Sequence, residues 1–430
     1  MRRRAVAATT AFALAVTGAC HFSSLDAAAS ERLAVFDCHW QALADDYPLF
    51  GNQRLDWNEL RRRYRGAVPF ATRPHEFYHL LTGMLSELGD LHVSLAVPPE
   101  RFVDRTAPTS LLDVPGFAVA PIEGRLHVVS WPLHATPVPP EGTPAGANYP
   151  ELWRVQGFPV VLSLVDNLLL GPPRSDVELH LRWRGDTVTR HVLQRPPEGT
   201  PRRANVLGHL ADDGRPAAPR QLAPYAWIEL RDFNDAQRLA AADRALDEAA
   251  HADGLVIDLR RNLGGQWALG RQFVGRFLRE PVEFVLVPSR TQREWFGLVT
   301  VERFVLSEWT PRPPTVTCPV VVLTSALTGS TAEHVARVLQ RHAGAIVVGE
   351  RTAGAEAAVE NRTAADGSTL RFGSLRVVDR TGVGLQAEGV LPDVAVRLTV
   401  DDIERLGPAA AIDEYEQRLF AAVRRAFRRR

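Results

Sequence analysis

From Glu31 to about Leu95 apolar residues recur at steps of three and four, as at Phe77, Leu80, Leu81 and Met84, which puts them on one side of a helix. The spacing predicts an N-terminal helical region over 30–107, closing on Leu88-Gly-Asp-Leu-His92 and breaking into loop around Pro98–Pro108. Short strand-like runs follow at Phe117–Ala120, Leu126–Ser130, Leu152–Val155, Val177–Trp183 and Thr187–Leu193. A helix-like Leu162–Leu170 precedes the fourth of these, Trp183-Arg-Gly-Asp-Thr187 reads as a hairpin turn, and a proline-rich Pro132–Pro150 interrupts the middle. Together they form a β-rich module over 108–196, and the aperiodic Pro-, Gly- and Arg-rich stretch 197–224 reads as a linker. Strand-like and helix-like runs then alternate: Trp227–Leu230, Asp235–Ala250, Gly254–Leu259, Leu269–Leu278, Val282–Val287, Pro319–Thr324, Thr331–His342 and Ala345–Val348. Such alternation predicts an α/β layered domain over 225–400. The last segment, 401–430, holds an amphipathic helix, Ile412–Phe427, running into arginines that suit a helix C-terminus.

Composition changes this picture in three ways. The 430 residues carry 45% hydrophobic and 23% charged side chains, enough for two or three ordinary cores, and the net charge of zero supplies no field that would draw the chain to nucleic acid. The chain has no lysine, so arginine and histidine are its only basic side chains. Residues 1–20, Arg2-Arg-Arg4 followed by apolar Ala5–Val16 and Thr17-Gly-Ala-Cys20, predict an export signal too short to span a membrane. The small residues before Cys20 resemble a lipoprotein cleavage site, with Thr17 in place of the usual leucine. A lipid on Cys20 would attach the chain to a membrane, and export places it in the cell envelope, in the periplasm or on an extracytoplasmic membrane surface. Cys38 and Cys318 are too few for a disulfide framework and are expected to be buried thiols. No metal-ligand spacing occurs, and no metal or other cofactor is expected.

The chemistry concentrates at Ser330, which stands where the run Pro319–Thr324 gives way to the helix-like Thr331–Leu339. A hydroxyl at a helix N-terminus faces unpaired N–H groups and the positive end of the macrodipole, both of which favour developing negative charge. Gly254–Gly265, an apolar strand ending in a glycine turn, can supply a further backbone donor, and the pair points to acyl transfer. Ser330-Thr-Ala-Glu333 also fits a helix capping box, and Asp258 and Arg260 read as braces of the glycine turn. Gly349–Gly354 lacks the pattern of a phosphate loop.

Taken in order, Leu88-Gly-Asp-Leu-His92, Asp258-Leu-Arg-Arg-Asn-Leu-Gly-Gly265, Thr324–Glu333, Gly349-Glu-Arg-Thr-Ala-Gly354 and Glu388-Gly-Val-Leu-Pro-Asp393 resemble the tail-specific protease and tricorn-core family of serine peptidases, over roughly residues 30–400. The resemblance implies a PDZ-like module at 108–196, with Pro115-Gly-Phe-Ala-Val119 in the place of its carboxylate-binding loop, and a crotonase-like α/β catalytic domain at 225–400. Carboxy-terminal-processing members pair the serine with a lysine where this chain has Ala355. Tricorn-like members use a histidine and a glutamate, and those positions are filled by His92 and Glu388. The resemblance therefore implies Ser330 as nucleophile, His92 as general base, Glu388 as the carboxylate that orients it, and the turn at Gly264 with the N–H of Thr331 as oxyanion donors. It departs at Leu91, where tricorn-like members place a serine between histidine and glutamate, and at Leu263, where another glycine is usual. The expectation is an exported serine endopeptidase acting on a protein or peptide substrate, with no indication of oligomeric state. Two alternatives stay open: a catalytically silent relative that binds peptides or apolar ligands, and a hydrolase of small esters or amides.

Overall fold

A computed structural model describes residues 27–47, 55–98, 117–197 and 223–429, with short interruptions inside the last two ranges. The export segment with Cys20, the loop residues Pro115 and Gly116, most of the expected helix Leu162–Leu170 and most of the 197–224 linker lie outside the described residues.

Three helices open the fold: α1 (Ala27–Asp46), α2 (Trp57–Ala67) and α3 (Pro74–Ser86). The side chain of Asp56 accepts the Glu59 N–H at 2.9 Å and caps α2, while α3 begins on Pro74, at a position where a missing N–H has no consequence. Phe36, Leu43, Leu81, Met84 and Leu85 are fully buried between them. Cys38 departs from expectation: it lies on the outer side of α1 and is exposed, and Cys318 is half-buried. The short strand β1 (Ser94–Ala96) leaves the helices and pairs antiparallel with Thr369–Val378, far along the chain.

The second unit is an antiparallel sheet of β2 (Ala118–Ile122), β3 (Arg125–Ser130), β4 (Glu151–Val155), β6 (Asp176–Arg182) and β7 (Val188–Gln194), in the order β2-β3-β4-β6-β7, with β5 (Phe158–Pro159) beside β4. In β6 the alternation is clean: Val177, Leu179 and Leu181 are buried, and Glu178, His180 and Arg182 are not. Ala118, Ala120, Ile122 and Val129 cluster with Leu398, Ile403, Ala411 and Tyr415, so this sheet is docked on the C-terminal helices.

The third unit holds β8 (Ala226–Glu229), α4 (Ala236–Glu248), β9 (Leu255–Asp258), α5 (Trp267–Gly275), β10 (Val282–Pro288), the hairpin β11 (Glu294–Phe296) and β12 (Val299–Val301), and β13 (Val305–Trp309). It continues through β14 (Val320–Thr324), α6 (Thr331–His342), β15 (Ile346–Gly349), β16 (Ala358–Thr363), β17 (Thr369–Val378) and β18 (Val394–Ala395), and ends in α7 (Val400–Leu406) and α8 (Pro408–Arg428). A parallel sheet runs β18-β15-β14-β9-β8. Its central strands are continuous apolar runs because both faces are covered. Leu255, Ile257, Val320, Val322 and Val347 face the core shared with α4, α5 and α6, whereas Val256, Val321, Leu323 and Val348 face α8. The other sheet runs β1-β17-β10-β13, with β16 on β17. Helix α8 starts earlier than the periodicity predicts, because Gly407 at φ 80° closes α7 and Pro408 suits the first helical turn.

Candidate active site

Strands β9 and β14 are parallel neighbours, so the glycine turn after β9 and the segment after β14 leave the sheet at the same edge, the place where α/β sheets gather their ligands. Ser330 stands at that edge with φ 53° and ψ −127°, a conformation L-residues rarely adopt, just before α6 begins. Its N–H is shared between the Ala355 carbonyl, at 2.8 Å, and Glu333 Oε2, at 3.0 Å. The glutamate arm of a capping box is therefore present, but the serine backbone is not that of an ordinary N-cap.

Gly264 lies against this bend. A Cβ there would fall 2.6 Å from the Ser330 Cβ and 2.8 Å from the Gly329 carbonyl oxygen, so only glycine fits. Asn262, fully buried, fixes the approach: its side-chain oxygen accepts the Gly264 N–H at 2.9 Å and its carbonyl accepts the Gly329 N–H at 3.0 Å. The Gly264 N–H is thus occupied, which corrects the expected oxyanion donor. Gly265 is the glycine that lines the cavity beside Ser330. Its neighbours bond to Phe233, through the Gly264 carbonyl and the Gln266 N–H, so its own backbone groups point the other way. Its carbonyl accepts the Thr331 hydroxyl at 2.7 Å. Among the described residues neither the Gly265 N–H nor the Thr331 N–H, the first amide of α6, has an acceptor.

His92 comes from the opposite end of the sequence, from the turn between α3 and β1, and lines the same cavity of about 500 Å³ as Ser330. The two side chains share it without a direct hydrogen bond. His92 Nδ1 accepts the Ala357 N–H at 3.3 Å, and Nε2 is buried with no partner. Burial holds the imidazole below its ordinary range; the Asp90 carboxylate opposes this and the Arg371 guanidinium adds to it. Asp90 Oδ1 accepts the His92 backbone N–H at 2.8 Å and its Oδ2 accepts the Tyr47 hydroxyl at 2.9 Å.

Glu388 is not among the described residues that line this cavity. It sits exposed on a turn, its N–H bonded to the Leu385 carbonyl, and it makes no hydrogen bond to His92. The carboxylate whose charge reaches the imidazole is Asp90, signalled in sequence only by its position two residues before the histidine. Leu91 packs into the helical core, and Leu263, 66% exposed, stands at the cavity mouth. Ala355, at the position a lysine would take, acts through its backbone, accepting from Ser330 and donating to Glu333.

Glu333 ties these parts together. It is fully buried and accepts four bonds: from the Thr352 hydroxyl at 2.5 Å, and from the N–H groups of Gly354 at 2.7 Å, Ala355 at 2.8 Å and Ser330 at 3.0 Å. Burial pushes its carboxyl up to about 7, and the four donors work against that shift. The 352–357 segment is thereby held to the serine bend, and the same segment presents Ala357 to His92. Trp267, Leu286, Val359 and Val377 give the same cavity an apolar part, with Trp267 edge-on to His334 at 4.8 Å. A hydroxyl, an imidazole and two unpaired amides around one partly apolar cavity can perform acyl transfer.

Comparison with known proteins gives relatives, a fold and a family domain. The chloroplast C-terminal processing peptidase of Tetradesmus obliquus is 27% identical over 381 residues, covering 86% of this chain and 78% of that one. Carboxyl-terminal-processing peptidase 1 of Arabidopsis thaliana chloroplasts is 28% identical over 192 residues, 44% of this chain and only 37% of that protein's length. The solved structure of mature CPAF complexed with lactacystin has the same fold, with a TM-score of 0.60 at 14% identity over 94% of this chain and 99% of that one. Residues 224–396 match the family described as Peptidase family S41. The chain therefore carries a domain of peptidase family S41, a family of serine peptidases.

Proposed function

We propose that the chain is an exported serine endopeptidase that cleaves protein or peptide substrates through an acyl-enzyme on Ser330. The observation that carries this reading is the single cavity shared by Ser330, His92, Gly265 and Thr331. Ser330 Oγ attacks the substrate carbonyl as His92 takes its proton, and the oxyanion settles between the Gly265 and Thr331 amides. The imidazolium then gives that proton to the leaving amine as the C–N bond breaks, and water repeats the sequence on the ester. Asp90, rather than Glu388, offsets the charge on the imidazolium. The names of the processing peptidases support a cut near the end of a protein chain, and the 117–195 sheet serves as the PDZ-like module that presents it. Export and a lipid on Cys20 place the reaction at the cell envelope.

The Ala357 contact bears on the base. While Nδ1 accepts an N–H, the neutral ring carries its proton on Nε2 and cannot receive another there. Turnover therefore requires Ala357 to release Nδ1, a step we assign to substrate entering beside β16. The same contact favours a second reading, a peptide-binding relative without turnover. A fluorophosphonate probe separates them. Labelling that vanishes in Ser330→Ala and falls about 100-fold or more in His92→Ala supports the peptidase, whereas an unlabelled wild-type protein supports the binder.

A further inference from the structure

The active-site cavity carries little permanent charge. None of its described lining residues is acidic, and Arg371 is its one permanent cation. The strand that carries Arg371 explains its placement. In β17, Leu370 and Phe372 are fully buried in the core of the N-terminal helices, so residues 371 and 373 turn to the opposite side. His92 lies on that side: a Cβ on Gly373 would come within 4.0 Å of the His92 Cβ, and Ser94, two residues beyond His92, is paired with Arg371. Val377, further along the same strand, lines the cavity as well.

The contrast with the second cavity, about 420 Å³ between the 117–195 sheet and α7, is informative. There Arg125 and Arg182 pair with Glu151, and Arg184 pairs with Asp401 and Glu404. Arg371 is exposed, and among the described residues no carboxylate stands within ion-pairing distance of it.

We propose that Arg371 determines specificity by binding a carboxylate on the leaving segment of the substrate, either the α-carboxylate of a short C-terminal tail or the side chain of an Asp or Glu beside the cut. The inference rests on the peptidase reading in one respect: the leaving amine takes its proton from His92, so the leaving segment runs past His92 and the Arg371 that stands near it. A guanidinium with free donors meets a carboxylate in a planar, two-pronged contact that no other lining residue offers.

The test uses three matched peptides that differ only after the cut: a neutral segment ending in a free carboxylate, an amidated segment with Asp, and the amidated Asn counterpart. Wild-type kcat/KM is expected to favour one or both carboxylate peptides by about ten-fold over the neutral one, with the advantage shrinking as salt rises. Which peptide gains identifies the source of the carboxylate. Arg371→Gln should level the series and Arg371→Lys keep part of the preference. Removing the cation should also raise the His92 value, moving the acid limb of kcat/KM to higher pH, an effect that mere loss of packing does not produce. A wild-type protein indifferent to the carboxylate, or a preference that survives Arg371→Gln, overturns the proposal. Fluorescence-anisotropy binding of the corresponding leaving fragments to Ser330→Ala protein reads the same site without turnover. Carboxylate-dependent binding with no cleavage of any peptide fails the peptidase reading and keeps the Arg371 site, whereas cleavage without charge preference does the reverse.

Discussion

Individual residues set the site at two scales of force, steric and electrostatic. Gly264→Ala would drive a methyl into the Ser330 Cβ at 2.6 Å, on a backbone at φ 105°, so loss of probe labelling should exceed any loss of folded protein. Glu333 makes a pH prediction whose sign follows from burial. Its carboxyl is raised from the ordinary 4.5 to about 7, so its contribution to stability is complete below 4.5 and is lost as pH rises toward 7. Denaturant unfolding of wild type and Glu333→Gln should diverge between pH 5 and 8 by on the order of 3 kcal/mol, with the wild type falling. Parallel curves would refute the assignment. His39, pushed down to about 4 by burial, works in the opposite sense, its contribution lost as pH falls from 6.5 toward 4. Ser330 was legible in the sequence because its bend is local, made by a strand, a short turn and a helix in succession. His92 was legible only through a motif, since its nearness to Ser330 depends on β1 pairing with β17. The motif that marked Glu388 said nothing of where its turn would point, Asp90 is marked only by standing two residues before His92, and Arg371 carries no signal until that pairing is known.

At the level of elements, two patterns mark strands: the apolar runs of β9 and β14, covered on both faces, and the alternation of β6, covered on one. β17 went unread because Arg371, Gly373, Ser374 and Arg376 interrupt its apolar residues. Those interruptions reflect a strand with two duties, Leu370 and Phe372 filling the helical core while the opposite side faces the cavity. Leu370→Ala should cost about 2–4 kcal/mol of stability, measured by denaturant titration, and should lower labelling of Ser330 in the protein that remains folded. Unchanged labelling would show that the strand tolerates a void without moving its cavity side. The Arg260 brace was legible from its spacing to Asp258, but its bond to Glu416 of α8, at 2.5 Å, joins residues no local pattern connects.

For the whole molecule, mass spectrometry of the mature N-terminus tests export and lipid attachment together: a start at Cys20 with an acyl mass is the expected result, and an intact Met1 would sink both. The antiparallel sheet that joins β1 to β17 has a practical consequence. The His92 imidazole and the strand beside it arrive from outside residues 224–396, and the helices they belong to cover Leu370 and Phe372. Cutting out the family domain as a separate piece would leave a sticky apolar strip bare and Ser330 without the imidazole that shares its cavity. These distant stretches of the chain are interlocked, and the proposed hydrolysis belongs to the joint rather than to either part.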